Sequence, residues 1–140
     1  MGLRCSHGAW SGAYSAFHRW RCKLAEVAGL PPLDLMDGFY DPTRLTVDVR
    51  RVMSGLLGQL PIQWECFKPS PLHELLHHSD CEGTIPADRC GPIADALEEL
   101  LPMLPHGDAG GHIGNWKDKT ETFIAGLRSA ADAGESLEFD

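Results

Sequence analysis

Residues Ser70 to Leu104 constrain the fold more than any other part of the chain. Ser70-Pro71 reads as an N-cap followed by proline at the first helical position, and Leu72, Leu75 and Leu76 then form an apolar face up to about His78. After a polar turn, Cys90, Ile93, Leu97, Leu100 and Leu104 recur at three- and four-residue steps, which predicts a helix over 86–104. Stripes of this kind must be buried against other elements, and the rest of the chain offers partners. Ser11 as N-cap with Ala13, Phe17, Trp20, Leu24 and Val27 predicts a helix over 11–28, ended by Gly29 and Pro31-Pro32. Asp41-Pro42 with Leu45, Val49, Val52 and Leu56 predicts a helix over 42–58, although Leu45, Val47 and Val49 also fit a short strand. Trp116, Thr120, Phe123, Leu127 and Ala130, followed by Gly134, predict a helix over 115–133.

The connections are short or punctuated. Residues 59–69 read as an extended linker, and 105–114, with four glycines, as a flexible loop or small lid. Leu137-Glu138-Phe139 alternates and suits a tiny strand against Gly2–Cys5. The expected architecture is therefore mainly α: one domain over 1–140, about five helices and a minor terminal strand pair.

A chain of 140 residues with 43% hydrophobic content has enough apolar material for its own core. No apolar run reaches the roughly 18 residues of a membrane span, and the first ten residues lack the apolar stretch of a secretory signal. Five cysteines, an odd number, fit reduced thiols and a cytoplasmic setting better than a disulfide framework. The net charge of −8 argues against a general nucleic-acid binder. Residues 1–23 hold Arg4, Arg19, Arg21 and Lys23 and no acid, so the remainder carries −12. The four basic residues read as the solvated face of one helix rather than as a nucleic-acid patch.

The turn His77-His78-Ser79-Asp80-Cys81-Glu82-Gly83 concentrates metal-capable side chains. It resembles part of an EF-hand loop: with Gly83 at loop position 6, Asp80, Glu82 and Ile85 fall at positions 3, 5 and 8. Position 1 is His78 and position 12 is Arg89, where calcium needs an Asp and a bidentate Glu, so no tight calcium site is expected. The unit reads as an EF-hand-like helix-turn-helix in which Gly83 supplies a positive φ. Zinc suits these residues better. Cys5 and His7 could meet His78 and Cys81, joining a C-x-H half to an H-x-x-C half, with Asp80 as a further ligand. His18 and Cys22, one helical turn apart on the face opposite the apolar stripe, are a competing half-site.

His73-Glu74-Leu75-Leu76-His77 matches the HExxH pattern of zinc hydrolases. On a helix His73 and His77 share a face and would bind zinc, while Glu74 would activate its water. The predicted helix is shorter than the one that normally carries the motif, and seven histidines raise the odds of a chance match. Purely structural roles stand beside these. Cys90 and Cys66 read as core thiols; Cys5 and Cys81 read first as core or surface thiols, then as ligands, and last as nucleophiles paired with His7 or His78. His78 suits the C-terminus of a helix, and Asp80 can cap the turn.

The stretches Gly2-Leu-Arg-Cys-Ser-His-Gly-Ala-Trp-Ser-Gly-Ala-Tyr-Ser-Ala-Phe17, His78-Ser-Asp-Cys-Glu-Gly83 and Ala133-Gly-Glu-Ser-Leu-Glu-Phe139 resemble a small uncharacterised family from actinobacteria and their phages. That resemblance implies a bacterial or phage setting and no particular activity. The leading expectation is a protein-interaction module with a zinc site and no membrane partner; its alternative is a zinc-dependent hydrolase using His73, Glu74 and His77.

Overall fold

A computed structural model describes residues 2–43, 61–105 and 114–140. Most of the helix expected over 42–58 and most of the 105–114 loop lie outside the described residues. Within them the domain is mainly α, with two small antiparallel strand pairs.

The chain opens with a hairpin, β1 (Gly2–Arg4) against β2 (Ser11–Ala13), in the register Leu3↔Gly12. The intervening turn places His7 at φ 58° and Gly8 at φ 70°, and Cys5 N–H donates to Trp10 O at 2.9 Å to close it. Helix α1 (Tyr14–Val27) therefore starts later than expected. Ser11 is not its N-cap, because pairing with β1 holds residues 11–13 extended; Ala13 occupies the cap position without a side-chain bond. Gly29 at φ 82° ends the helix, and Leu30 N–H returns to Ala25 O at 2.9 Å.

Helix α2 (Pro71–Leu76) begins as expected, with Ser70 Oγ accepting from Leu72 N–H at 3.2 Å. It stops at Leu76 rather than His78, since His77 leaves helical geometry. Gly83 adopts φ +105° and leads into β3 (Gly83–Ile85), the main partner of β4 (Leu137–Phe139). The expected pairing of the tail with Gly2–Cys5 is present in part, as a Cys5↔Phe139 bridge and two Arg4–Asp140 backbone bonds. Helix α3 (Ala87–Leu100) passes into a tight 3₁₀ turn at Leu101–Met103 rather than running to 104, because Pro102 cannot continue the ladder. Helix α4 (Trp116–Ala133) is capped at both ends: Asn115 accepts from Lys117 and Asp118 N–H, and Gly134 takes φ 68°.

The stripes meet in one core. Trp10, Phe17, Trp20 and Phe123 form an aromatic cluster with Trp20–Phe123 centroids 4.9 Å apart, and Trp20 Nε1–H donates to Thr120 Oγ1 at 2.9 Å. Each such side chain contributes roughly 1.5–3 kcal/mol by burial, before entropy is counted. Helix α3 packs chiefly on α4, and Arg128 ties them at the surface by reaching Asp95 and Glu98. No described helix is long and apolar enough to cross a membrane.

Candidate metal centre

Helix α1 presents its apolar stripe inward and, on the other side, His18, Cys22 and Glu26 at successive turns. Past Gly29 the Pro31-Pro32 pair turns the chain back along this outer face. Leu33 and Leu35 are both buried, so the residue between them, Asp34, is left at the surface. A short tie fixes the segment: Ile62 N–H donates to Leu35 O and Asp37 N–H to Ile62 O, each at 2.8 Å.

The outcome is a three-residue cluster. His18 Nε2 lies 3.1 Å from Asp34 Oδ1 and 3.5 Å from Cys22 Sγ. All three ligand atoms fall within 4.8 Å of one another, and among the described residues no other group of three or more His, Cys, Asp or Glu side chains does so. Bonds of about 2.0–2.3 Å to a tetrahedral zinc ion place neighbouring ligand atoms about 3.3–3.8 Å apart. The donor set, one imidazole, one thiol and one carboxylate, is the borderline mixture that zinc accepts. Without an ion, burial first and Asp34 second push the Cys22 thiol up to about 11, with Arg21 opposing. Such a thiol is a poor free nucleophile at neutral pH.

The other candidates are dispersed. Cys5 is in the core, and burial pushes its thiol up to about 12. His7 bonds to Ser6 Oγ and Glu135. Both ring nitrogens of His78 face carbonyls, Ser79 O at 2.8 Å and Thr84 O at 3.0 Å, and the ring stacks on Phe139 at 4.0 Å. Cys81 is exposed beside Ser79 Oγ. The C-x-H and H-x-x-C halves do not converge on a common point. His77, His78 and Asp80 instead line a cavity of about 320 Å³ with Arg21.

Arg21 is no solvated charge: it is 1% exposed. Its Nη1 donates to Leu75 O at 3.3 Å, Leu76 O at 3.2 Å and His78 O at 2.5 Å, capping the end of α2. Burial lowers its pKa to about 10, opposed by Asp80, so it stays charged at neutral pH.

His73 and His77 both contact the Trp64 ring and, with Glu65, Phe67 and Pro69, line a cavity of about 330 Å³. Glu74 is held by Arg89 at 3.2 Å. A helix of six residues carries the motif, and no third ligand joins the two imidazoles within the spacing found at His18. Burial first, then the neighbouring His77, lowers the His73 pKa. A histidine with a depressed folded pKa favours the fold while neutral, so its contribution is lost as pH falls through the unfolded value of about 6.5. Between about pH 7 and pH 5, chemical denaturation of the wild type should therefore lose more stability than that of His73→Gln. Parallel pH profiles of the two would contradict this.

Comparison with protein-family models, curated proteins and solved structures finds no match to the chain. The half-site His18–Cys22 was legible from its i, i+4 spacing. Asp34 was missed, and its signal is the alternation Leu33-Asp34-Leu35 directly after a Gly-Leu-Pro-Pro reversal.

Proposed function

We propose that this chain is a small helical protein-interaction module stabilised by a zinc ion held by His18, Cys22 and Asp34. The observation that carries the reading is the mutual approach of three chemically suited ligand atoms from two separate segments. An ion there would pin the 30–36 segment to α1. The acidic body, −12 outside residues 1–23, favours a partner with a basic face. All five cysteines are free, which supports a reducing compartment such as the bacterial cytoplasm.

Protein purified without a histidine tag is expected to take up one zinc ion per chain. At a zinc concentration about a hundredfold above Kd, the gain is about 2.7 kcal/mol. The double variant His18→Ala/Cys22→Ser should take up none. Absence of uptake by the wild type, or unchanged uptake by the double variant, would overturn the reading. The cavity shared by His73 and His77 keeps the hydrolase alternative in play. Its signature would be zinc that survives the double variant and disappears in His73→Ala/His77→Ala.

A further inference from the structure

Zinc held by three protein side chains has a fourth position to fill. Two surface cavities meet at the cluster. One is lined by Cys22, Glu26, Leu30, Pro32, Leu33 and Asp34; the other includes His18, Cys22, Lys23, Glu26, Asp34 and Trp116. Beyond Cys22 and Asp34, Glu26 is the one residue on both linings. It stands one helical turn after Cys22, just as Cys22 stands one turn after His18, so all three share a face.

Resting on the zinc reading, we infer that Glu26 is the fourth ligand and that Lys23 competes with the metal for it. In the metal-free fold Glu26 Oε2 is held by Lys23 Nζ at 2.6 Å, and the Glu26 side chain is 67% exposed. An exposed pair of this kind is weak and readily exchanged. From one turn beyond Cys22, rotation of Glu26 about its own side-chain bonds would carry the carboxylate from Lys23 towards the cluster. Lys23 keeps an alternative resting place, since its Nζ lies 5.7 Å from the centroid of the Trp116 ring at the start of α4. No bond other than the ion pair is broken, and the metal gains one oxygen.

The test uses the full chain with zinc for affinity and cobalt(II) for geometry. Glu26→Gln is expected to weaken zinc about tenfold or more, and to alter the visible bands of tetrahedral cobalt while leaving the thiolate-to-cobalt charge-transfer band in place. Lys23→Met is expected to tighten zinc about two- to fivefold, with a smaller effect in the Glu26→Gln background. Zinc affinity and cobalt spectra unchanged in Glu26→Gln would overturn the assignment while leaving the three-ligand site standing. A wild type that binds neither metal would overturn both.

Discussion

Gly126→Ala is expected to destabilise the domain by about 2 kcal/mol, the reverse of what helix propensity alone dictates. Gly126 sits inside α4, where alanine is ordinarily better by about 1 kcal/mol. A Cβ at this position, however, would lie 2.5 Å from Ala9 Cβ, 2.7 Å from Ala9 Cα and 2.9 Å from Ala9 N. Two of those three atoms are backbone, and the turn that carries them is closed by Cys5 N–H to Trp10 O and Ala9 N–H to Ser6 O. Neither side yields without displacing the hairpin from the helix. Overpacking costs about 1–3 kcal/mol, and contacts this short with backbone atoms put Gly126→Ala at about 3 kcal/mol, which leaves about 2 kcal/mol after the propensity gain. The melting temperature should drop by roughly 5–10 °C for a chain of this size. Ala9→Gly in the same chain removes the closest contact and should recover part of the loss. A variant that melts at or above the wild type would show that α4 and the 5–10 turn do not pack this closely.

The second large effect belongs to Arg21→Leu, expected to cost about 3 kcal/mol. Exchanging a buried ion pair for apolar side chains is often neutral, because both charged partners leave together. Here the partners are the carbonyls of Leu75, Leu76 and His78, and they remain; Leu75 O keeps the His78 N–H at 3.3 Å, so the loss falls on Leu76 O and His78 O. Each buried acceptor stripped of its donor costs about 1–3 kcal/mol, reduced where water reaches it. The guanidinium also lies 4.6 Å from the Phe17 ring centroid and 5.4 Å from that of Phe39, contacts a leucine replaces only in part. Arg21→Lys should fall between the two, because an ammonium keeps the charge and the N–H donors but loses the flat guanidinium's packing on Phe17 and Phe39. Urea denaturation ranks the three proteins, and equal midpoints for Arg21→Leu and wild type would contradict the capping role.

These two residues mark where the sequence was legible and where it was not. Helices α3 and α4 followed from stripes of helical period, and the C-terminal end of α4 from Gly134, because those signals are local. The start of α1 did not follow, since whether Ser11–Ala13 caps a helix or joins a strand depends on β1. For β4 the sequence pointed to its bridge with Cys5 but not to its longer partner, since alternation says that a strand pairs but not with what, and Gly83–Ile85 is distant in sequence. Arg21 was read as solvated although it stands four residues after Phe17, on the border of the buried stripe. The close approach at Gly126 was not read from the sequence, because the approaching residue, Ala9, is more than a hundred positions away.

The candidate centre divides in the same way. His18 and Cys22 come from one helix, and their spacing alone makes them neighbours. Asp34 joins them only because Leu33 and Leu35 are buried and the reversal at Gly29 lays the segment along α1. The histidine-rich turn, the most conspicuous feature of the sequence, is largely occupied with holding itself: both ring nitrogens of His78 face carbonyls, and Glu74 is paired with Arg89.

X-ray absorption at the zinc edge of the loaded, tag-free protein tests the central claim most directly. The account predicts one sulfur at about 2.3 Å and nitrogen or oxygen ligands at about 2.0–2.1 Å, with the sulfur lost in Cys22→Ser. A first shell without sulfur, or one whose sulfur persists in Cys22→Ser, would contradict it.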